Sequence, residues 1–241
     1  MYGMPLSMAS TDYEKYIRTD ELLALQKPAE ALSCHDELQF QIVHQVAELW
    51  MKLCAHEVHQ TAALLKADLP GPATTALRRI ARIQTLLLHQ LDLLDTMSPK
   101  AYMTVRAGLG RGSGQESPGF RTMLRLPGEV LAPAFEAFLD RRGASLRDIY
   151  EQPDENHELF ALCEGLVDYD QLLQTWRQRH LMLVYRIIGA GTPSLKGKPS
   201  DLLAQGMKTR FFPRLWAVRD ELFADWSERM LAKGADTGYH G

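Results

Sequence analysis

Cysteine is scarce in this sequence, and its three copies, Cys34, Cys54 and Cys163, have no metal-type spacing. Each falls in a helix-like run, which reads as reduced, buried thiols of a cytoplasmic protein rather than a disulfide framework. A surplus of either charge is also missing. With 27 basic and 30 acidic residues the net charge is −3, so no field favours nucleic acid or an anionic membrane. No apolar run approaches the roughly 18 residues of a membrane span, and the start MYGMPLSMAS lacks the basic and apolar regions of a signal peptide. Strand-length alternation, internal repeats and low-complexity tracts are absent as well. The expectation is an all-α protein, one domain over residues 1–241, with neither nucleic-acid nor membrane partners.

Several chemical signatures are missing too. There is no CxxCH for covalent heme. His56 and His59 in AHEVH stand three apart rather than four, so they do not form an HExxH zinc pair. No glutamate begins a Glu-x-x-His, which disfavours a ferritin-like di-iron bundle. The loop GLGRGSGQESPG lacks the Gly-Lys-Ser/Thr ending of a phosphate loop and follows no strand. With His35, His89 and His157, the AHEVH pair reads as surface or capping groups.

What the chain does have is helical periodicity. The longest early run, Ser33 to Asp68, holds no Gly or Pro, and Ser33 with Asp36 predicts its N-terminal cap. Ile42, Val46, Leu49 and Leu53 form one apolar stripe along it. Phe40, His44, Ala47 and Met51 form a second on the opposite side. Both stripes are expected to be buried. Upstream, Thr11 with Glu14 predicts a capping box for a helix that Pro28 ends, with Tyr13, Tyr16 and Ile17 on one side. Further helices are predicted over 74–97, from Ser98-Pro99, over 128–142, 145–150 and 154–188, and from Ser200-Asp201 toward the C-terminus.

Two histidines stand alone on apolar helical faces. His44 sits on the second stripe above, and His180 sits among Leu172, Leu173, Trp176, Leu183, Val184 and Ile187. One such histidine is ordinarily a hydrogen-bonded core residue. Two of them, on the two longest helices, strengthen the case for a cofactor slotted between helices. A flat apolar macrocycle needs an axial nitrogen and apolar walls, which His180 with Trp176 and Val184 would supply. Tyr102 and Arg106, four apart on a short helix, suit bidentate capture of a carboxylate, although a solvated arginine is the ordinary alternative.

The segments YEKYIRTDELLALQKP, HDELQFQIVHQVAELWMKLCAHEV, AYMTVRAGLG, WRQRHLMLVYRIIG and RFFPRLWAVRDEL, in this order, resemble the tryptophan 2,3-dioxygenase family over most of the chain. The resemblance implies an all-α fold that encloses heme b, a homo-oligomer (usually a tetramer), and oxidation of the indole ring of L-tryptophan by O2. It implies that His180 ligates the heme iron, with Trp176 and Val184 beside it. His44 would be the distal histidine that accepts the indole N–H, and Phe40 would be a wall against the ring. Tyr102 and Arg106 would hold the substrate carboxylate. Tyr13, Tyr16 and Ile17 would belong to an N-terminal segment, residues 1–28, passed into a neighbouring subunit's pocket.

Two stretches depart from the family pattern. A GTGGSSG loop, whose threonine contacts the substrate's ammonium and carboxylate, is replaced by GAGTPSLKGKPS, where Thr192 is the candidate substitute. The short loop after the arginine becomes the longer GRGSGQESPGF. Both changes fall at the amino-acid end of the implied substrate. Beside ring-cleaving dioxygenation, they raise the alternative of a heme monooxygenase acting on a substituted tryptophan, such as β-methyltryptophan, or a related aromatic amino acid. A non-catalytic heme-binding or helical interaction protein is the third alternative.

Overall fold

A computed structural model describes residues 10–110, 112, 114–189 and 210–236. Its described residues form helices and turns with no strand, an all-α architecture. The elements are α1 (Asp12–Ile17), α2 (Thr19–Leu23), α3 (Asp36–Lys66), α4 (Pro70–Leu94), α5 (Pro99–Gly108), α6 (Pro118–Leu126), α7 (Ala132–Arg142), α8 (Leu146–Glu151), α9 (His157–Ile188) and α10 (Pro213–Asp236). None of them is long and apolar enough to cross a membrane.

Three long helices carry the structure. α4 lies between α3 and α9 and packs along both, while α6 and α7 cover α3 and α10 rests on α8 and α9. The apolar spacing of α4 explains its central place, because Leu77, Ile80, Leu87, Leu91 and Leu94 are all buried. Gly165 of α9 lets these helices approach closely, since a Cβ there would meet Leu77 at 3.2 and 3.3 Å. The main core joins Leu77, Ile80 and Leu87 to Cys54, Val58, Leu65, Phe135, Phe138, Leu162 and Tyr169. A smaller cluster of Val43, Leu91, Leu94 and Leu183 sits apart from it, and Trp176 packs against both. Cys54 and Cys163 are buried free thiols, and Cys34 is half-buried.

The capping box at Thr11 and Glu14 forms, as does the Ser98 cap, and Ser145 caps α8. Elsewhere the helices differ from their predicted bounds. The helix expected to run on to Pro28 breaks at Arg18, whose left-handed φ of 55° separates α1 from α2. His35 rather than Ser33 precedes α3, and no side chain caps it. Instead the buried Glu37 reaches back and accepts the Ser33 N–H at 2.6 Å while pairing with Lys27 at 2.6 Å. α4 starts at Pro70 rather than Thr74, with proline in its first turn, where no N–H is needed. Residues 118–126, of which the first few are expected as the end of a loop and the rest carry no helical assignment, form α6. It continues into α7 through a wider turn over Pro127–Leu131, in which the Ala132 N–H reaches back five residues to Pro127 O.

One correction bears on assembly. The stripe of Phe40, Ala47 and Met51 packs inward, whereas of the other stripe Leu53 packs against the main core and the part before it is left more open. Ile42 and Leu49 are 42% and 50% exposed in the single chain. The Ser200-Asp201 cap and the start of the last predicted helix lie outside the described residues.

Candidate functional site

The inward stripe of α3 opens onto a cleft that is continuous with solvent and holds a cavity of about 160 Å³. α3 contributes Val43, His44, Ala47, Glu48 and Met51, and α4 contributes Leu87, Gln90, Leu91 and Leu94. Trp176, Arg177 and His180 come from α9, and Gly114, Ser117 and Phe120 close one end. Each set follows the three- and four-residue spacing of one helical face.

His180 is set against Trp176, the two rings lying parallel at 6° with centroids 5.0 Å apart. Trp176 is fixed in turn by its indole N–H, which donates to Leu87 O at 3.1 Å, and by the Phe120 ring at 5.1 Å. Among the described residues no group hydrogen-bonds to either nitrogen of His180. Burial, and then the nearby His44 imidazole, push its pKa down to about 4, so it is neutral at pH 7 with a lone pair free.

His44 opens onto the cleft, yet protein atoms surround it closely enough that burial also lowers its pKa, against the opposing pull of Phe40 O and Glu48. Its Nδ1 lies 2.7 Å from Phe40 O. A carbonyl only accepts, so Nδ1 carries the proton in the neutral ring and Nε2 is left as the acceptor. The Phe40 ring rests 4.0 Å from the His44 ring, and the Tyr102 ring lies 6.4 Å beyond Phe40.

The other sequence candidates fall at different distances from this centre. Arg106 is half-buried on α5, one turn past Tyr102, and Val184 is half-buried on α9. Neither is among the residues lining the cleft. Tyr13, Tyr16 and Ile17 lie on α1 with 71%, 87% and 40% of their surface exposed. Thr192 lies outside the described residues.

Three polar groups of the cleft carried no sequence signal of their own. Glu48, one turn beyond His44, accepts the Gly119 N–H at 3.0 Å and, at close range, the Ser117 hydroxyl. It thereby draws the start of α6 onto α3. Gly119 is required at this contact, since a Cβ would stand 2.6 Å from Glu48 Oε2 and 2.9 Å from Met51 Cβ. Gln90 buries its side-chain oxygen without a partner among the described residues. Arg177 meets no described acceptor, and burial lowers its pKa.

Among the described residues no three His, Cys, Asp or Glu side chains converge. The donor set is therefore one neutral imidazole on each of two facing helices, in mainly apolar walls. Such a set fits a macrocycle that brings its own equatorial ligands better than a bare ion, which draws three or four ligands from protein.

Comparison with known proteins follows the same direction. Residues 4–131 match the family model described as tryptophan 2,3-dioxygenase. A tryptophan 2,3-dioxygenase of Erythrobacter litoralis is 34% identical, covering 86% of this chain and 97% of the relative. The protein of the same name from Caulobacter vibrioides is also 34% identical, with 87% and 98% covered. That from Myxococcus xanthus is 32% identical, with 88% and 90% covered.

Proposed function

Since the chain belongs to the tryptophan 2,3-dioxygenase family, we propose that it is a heme-dependent oxygenase. Its reaction is oxidation of the indole ring of L-tryptophan, or a close derivative, with O2 to an N-formylkynurenine-like product. The observation that carries this reading is the pair of neutral imidazoles, His44 and His180, lining one apolar cleft.

In this reading His180 would hold heme b through its free imidazole nitrogen, and Trp176 fixes the orientation of that ring through the parallel stack. The bound heme supplies the capacity to hold and activate dioxygen. All remaining work falls to side chains. His44, with Nδ1–H committed to Phe40 O, offers Nε2 to the indole N–H as acceptor or weak base. Phe40 walls the ring, and Tyr102 with Arg106 binds the carboxylate as a charge-assisted hydrogen-bonding pair. Thr192 is assigned to the amino-acid end and Val184 to the heme wall. Holding the indole in one pose against apolar walls is where much of the barrier is removed.

None of Tyr13, Tyr16 and Ile17 is fully buried within its own chain, and the two tyrosines are largely exposed. We assign them to a neighbouring subunit's site within a homotetramer, which makes assembly part of building the active site. Free, mostly buried thiols accord with a cytoplasmic setting.

A second reading is favoured by one observation. Gly114 and Ser117, from the stretch that departs from the family pattern, line the cleft itself. A monooxygenase of a substituted tryptophan would use such a reshaped end. Turnover under ¹⁸O₂ followed by mass spectrometry separates the two: two labelled atoms in the product are expected for dioxygenation, and one would establish monooxygenation. Purified protein with no Soret absorption, or with an unchanged histidine-ligated spectrum in His180→Ala, would overturn both.

A further inference from the structure

The arginines of α9 divide into two kinds. Arg179 is neutralised by α4, donating to Asp92 at 3.1 Å and, at close range, to Asp95. Arg186 lies 4.0 Å from the same Asp95. Arg177 stands two residues before Arg179, roughly 200° around the helix, and so faces the other way, into the cleft. The carboxylate on that wall, Glu48, is already engaged by Ser117 and Gly119. No described acceptor meets the Arg177 guanidinium. Nearby on the cleft wall Gln90 has a buried side-chain oxygen without a described partner.

A cation half-buried in a cleft walled mainly by apolar side chains is costly unless an anion accompanies it. The chain supplies none among its described residues, so the occupant of the cleft must. We propose that Arg177 is a carboxylate-binding residue of the cleft. Its planar fork takes a carboxylate from the occupant, either a propionate of the porphyrin or the carboxylate of the amino acid. The proposal rests on reading the cleft as a heme and amino-acid site, and it adds a second cation to Arg106. A guanidinium suits the task because two parallel N–H groups match two carboxylate oxygens.

The test uses full-length protein freed of heme, as wild type, Arg177→Leu and Arg177→Lys. Each is titrated with hemin and with hemin dimethyl ester, read by Soret absorbance. Hemin-loaded samples are then titrated with tryptophan and with tryptamine, read by the spectral shift. If the partner is a propionate, Arg177→Leu weakens hemin about ten- to a hundred-fold and leaves the ester unchanged. If it is the substrate, the same loss falls on tryptophan and spares tryptamine. In either case Arg177→Lys recovers part of the loss. Equal effects on the charged and uncharged member of both pairs, or no effect on either, overturn the proposal. Should Arg177→Leu not fold, Arg177→Gln gives the same four comparisons. If wild type takes up neither porphyrin, the heme reading itself falls. Calorimetric titration of tryptophan against tryptamine then still decides the role of Arg177.

Discussion

The two imidazoles of the cleft make a pH dependence that can be read in stability alone. Burial lowers both, His180 to about 4 from an ordinary 6.5. Below about pH 6.5 the unfolded chain therefore takes up protons that the folded chain refuses. The stability these groups permit is complete above that pH and is lost as pH falls toward 4. Urea unfolding of the heme-free protein should show a midpoint that declines from pH 6.5 to pH 5. Glu37, held down to about 2 chiefly by Lys27, adds its own loss only at lower pH. His180→Gln should flatten the decline in the upper window, and an unaltered slope would mean that the ring is not buried in its neutral form. At this scale the sequence was informative about His44 and His180 because an imidazole interrupts an apolar stripe visibly. Glu48 and Arg177 were hidden because a charged residue on a helix ordinarily means a solvated face. Nothing in spacing tells a carboxylate that binds Ser117 and Gly119 from one that binds water.

At the scale of elements, the contact between α3 and α6 is the least forgiving joint near the site. Gly119 sits where a methyl group would come within 2.9 Å of Met51 Cβ and 2.6 Å of Glu48 Oε2. Gly119→Ala should push α6 away from α3 and cost about 1–3 kcal/mol as overpacking. The glutamate should also lose its grip on the Ser117 hydroxyl. Thermal unfolding measures the first effect. A further Glu48→Ala change, which removes one of the clashing groups, should restore part of the loss, and a fully additive double mutant would refute the clash. The three long helices were legible because each repeats apolar residues over many turns. α6 was not, although Ser117-Pro118 is the same cap-and-proline start as Ser98-Pro99. Gly119 inside its first turn made the start of α6 look like the end of a loop, and Pro127-Gly128 after its last turn masked the short helix between them. The break at Arg18 was invisible for the opposite reason, since its left-handed turn involves neither glycine nor proline.

For the whole molecule the decisive feature is where the apolar pattern of α3 fails to find a partner. Leu38, Ile42 and Leu49 share a face with Gln45 and are 38%, 42% and 50% exposed. The segment after α2 is tied alongside them. Gln26 donates to Gln45 Oε1 at 2.6 Å, Gln45 donates to Leu25 O at 3.3 Å, and the Lys27 N–H reaches Gln41 at 2.9 Å. Leu22, Leu23 and Leu25, also 40% or more exposed, therefore extend the same surface toward Tyr13 and Tyr16. Periodicity reports that a face is buried, but not whether its own chain or another copy buries it. A contiguous patch of this kind, on a chain proposed to share its sites between subunits, belongs at an interface. Ile42→Asp with Leu49→Asp should leave helix content unchanged while shifting the assembly to smaller species in light scattering. It should also lower the unfolding temperature and, if single subunits result, remove its dependence on protein concentration. Neither aspartate touches the cleft, so heme uptake by the dissociated chain would separate subunit assembly from the architecture of the site. An unchanged particle mass in the double variant would leave this face without a role in assembly.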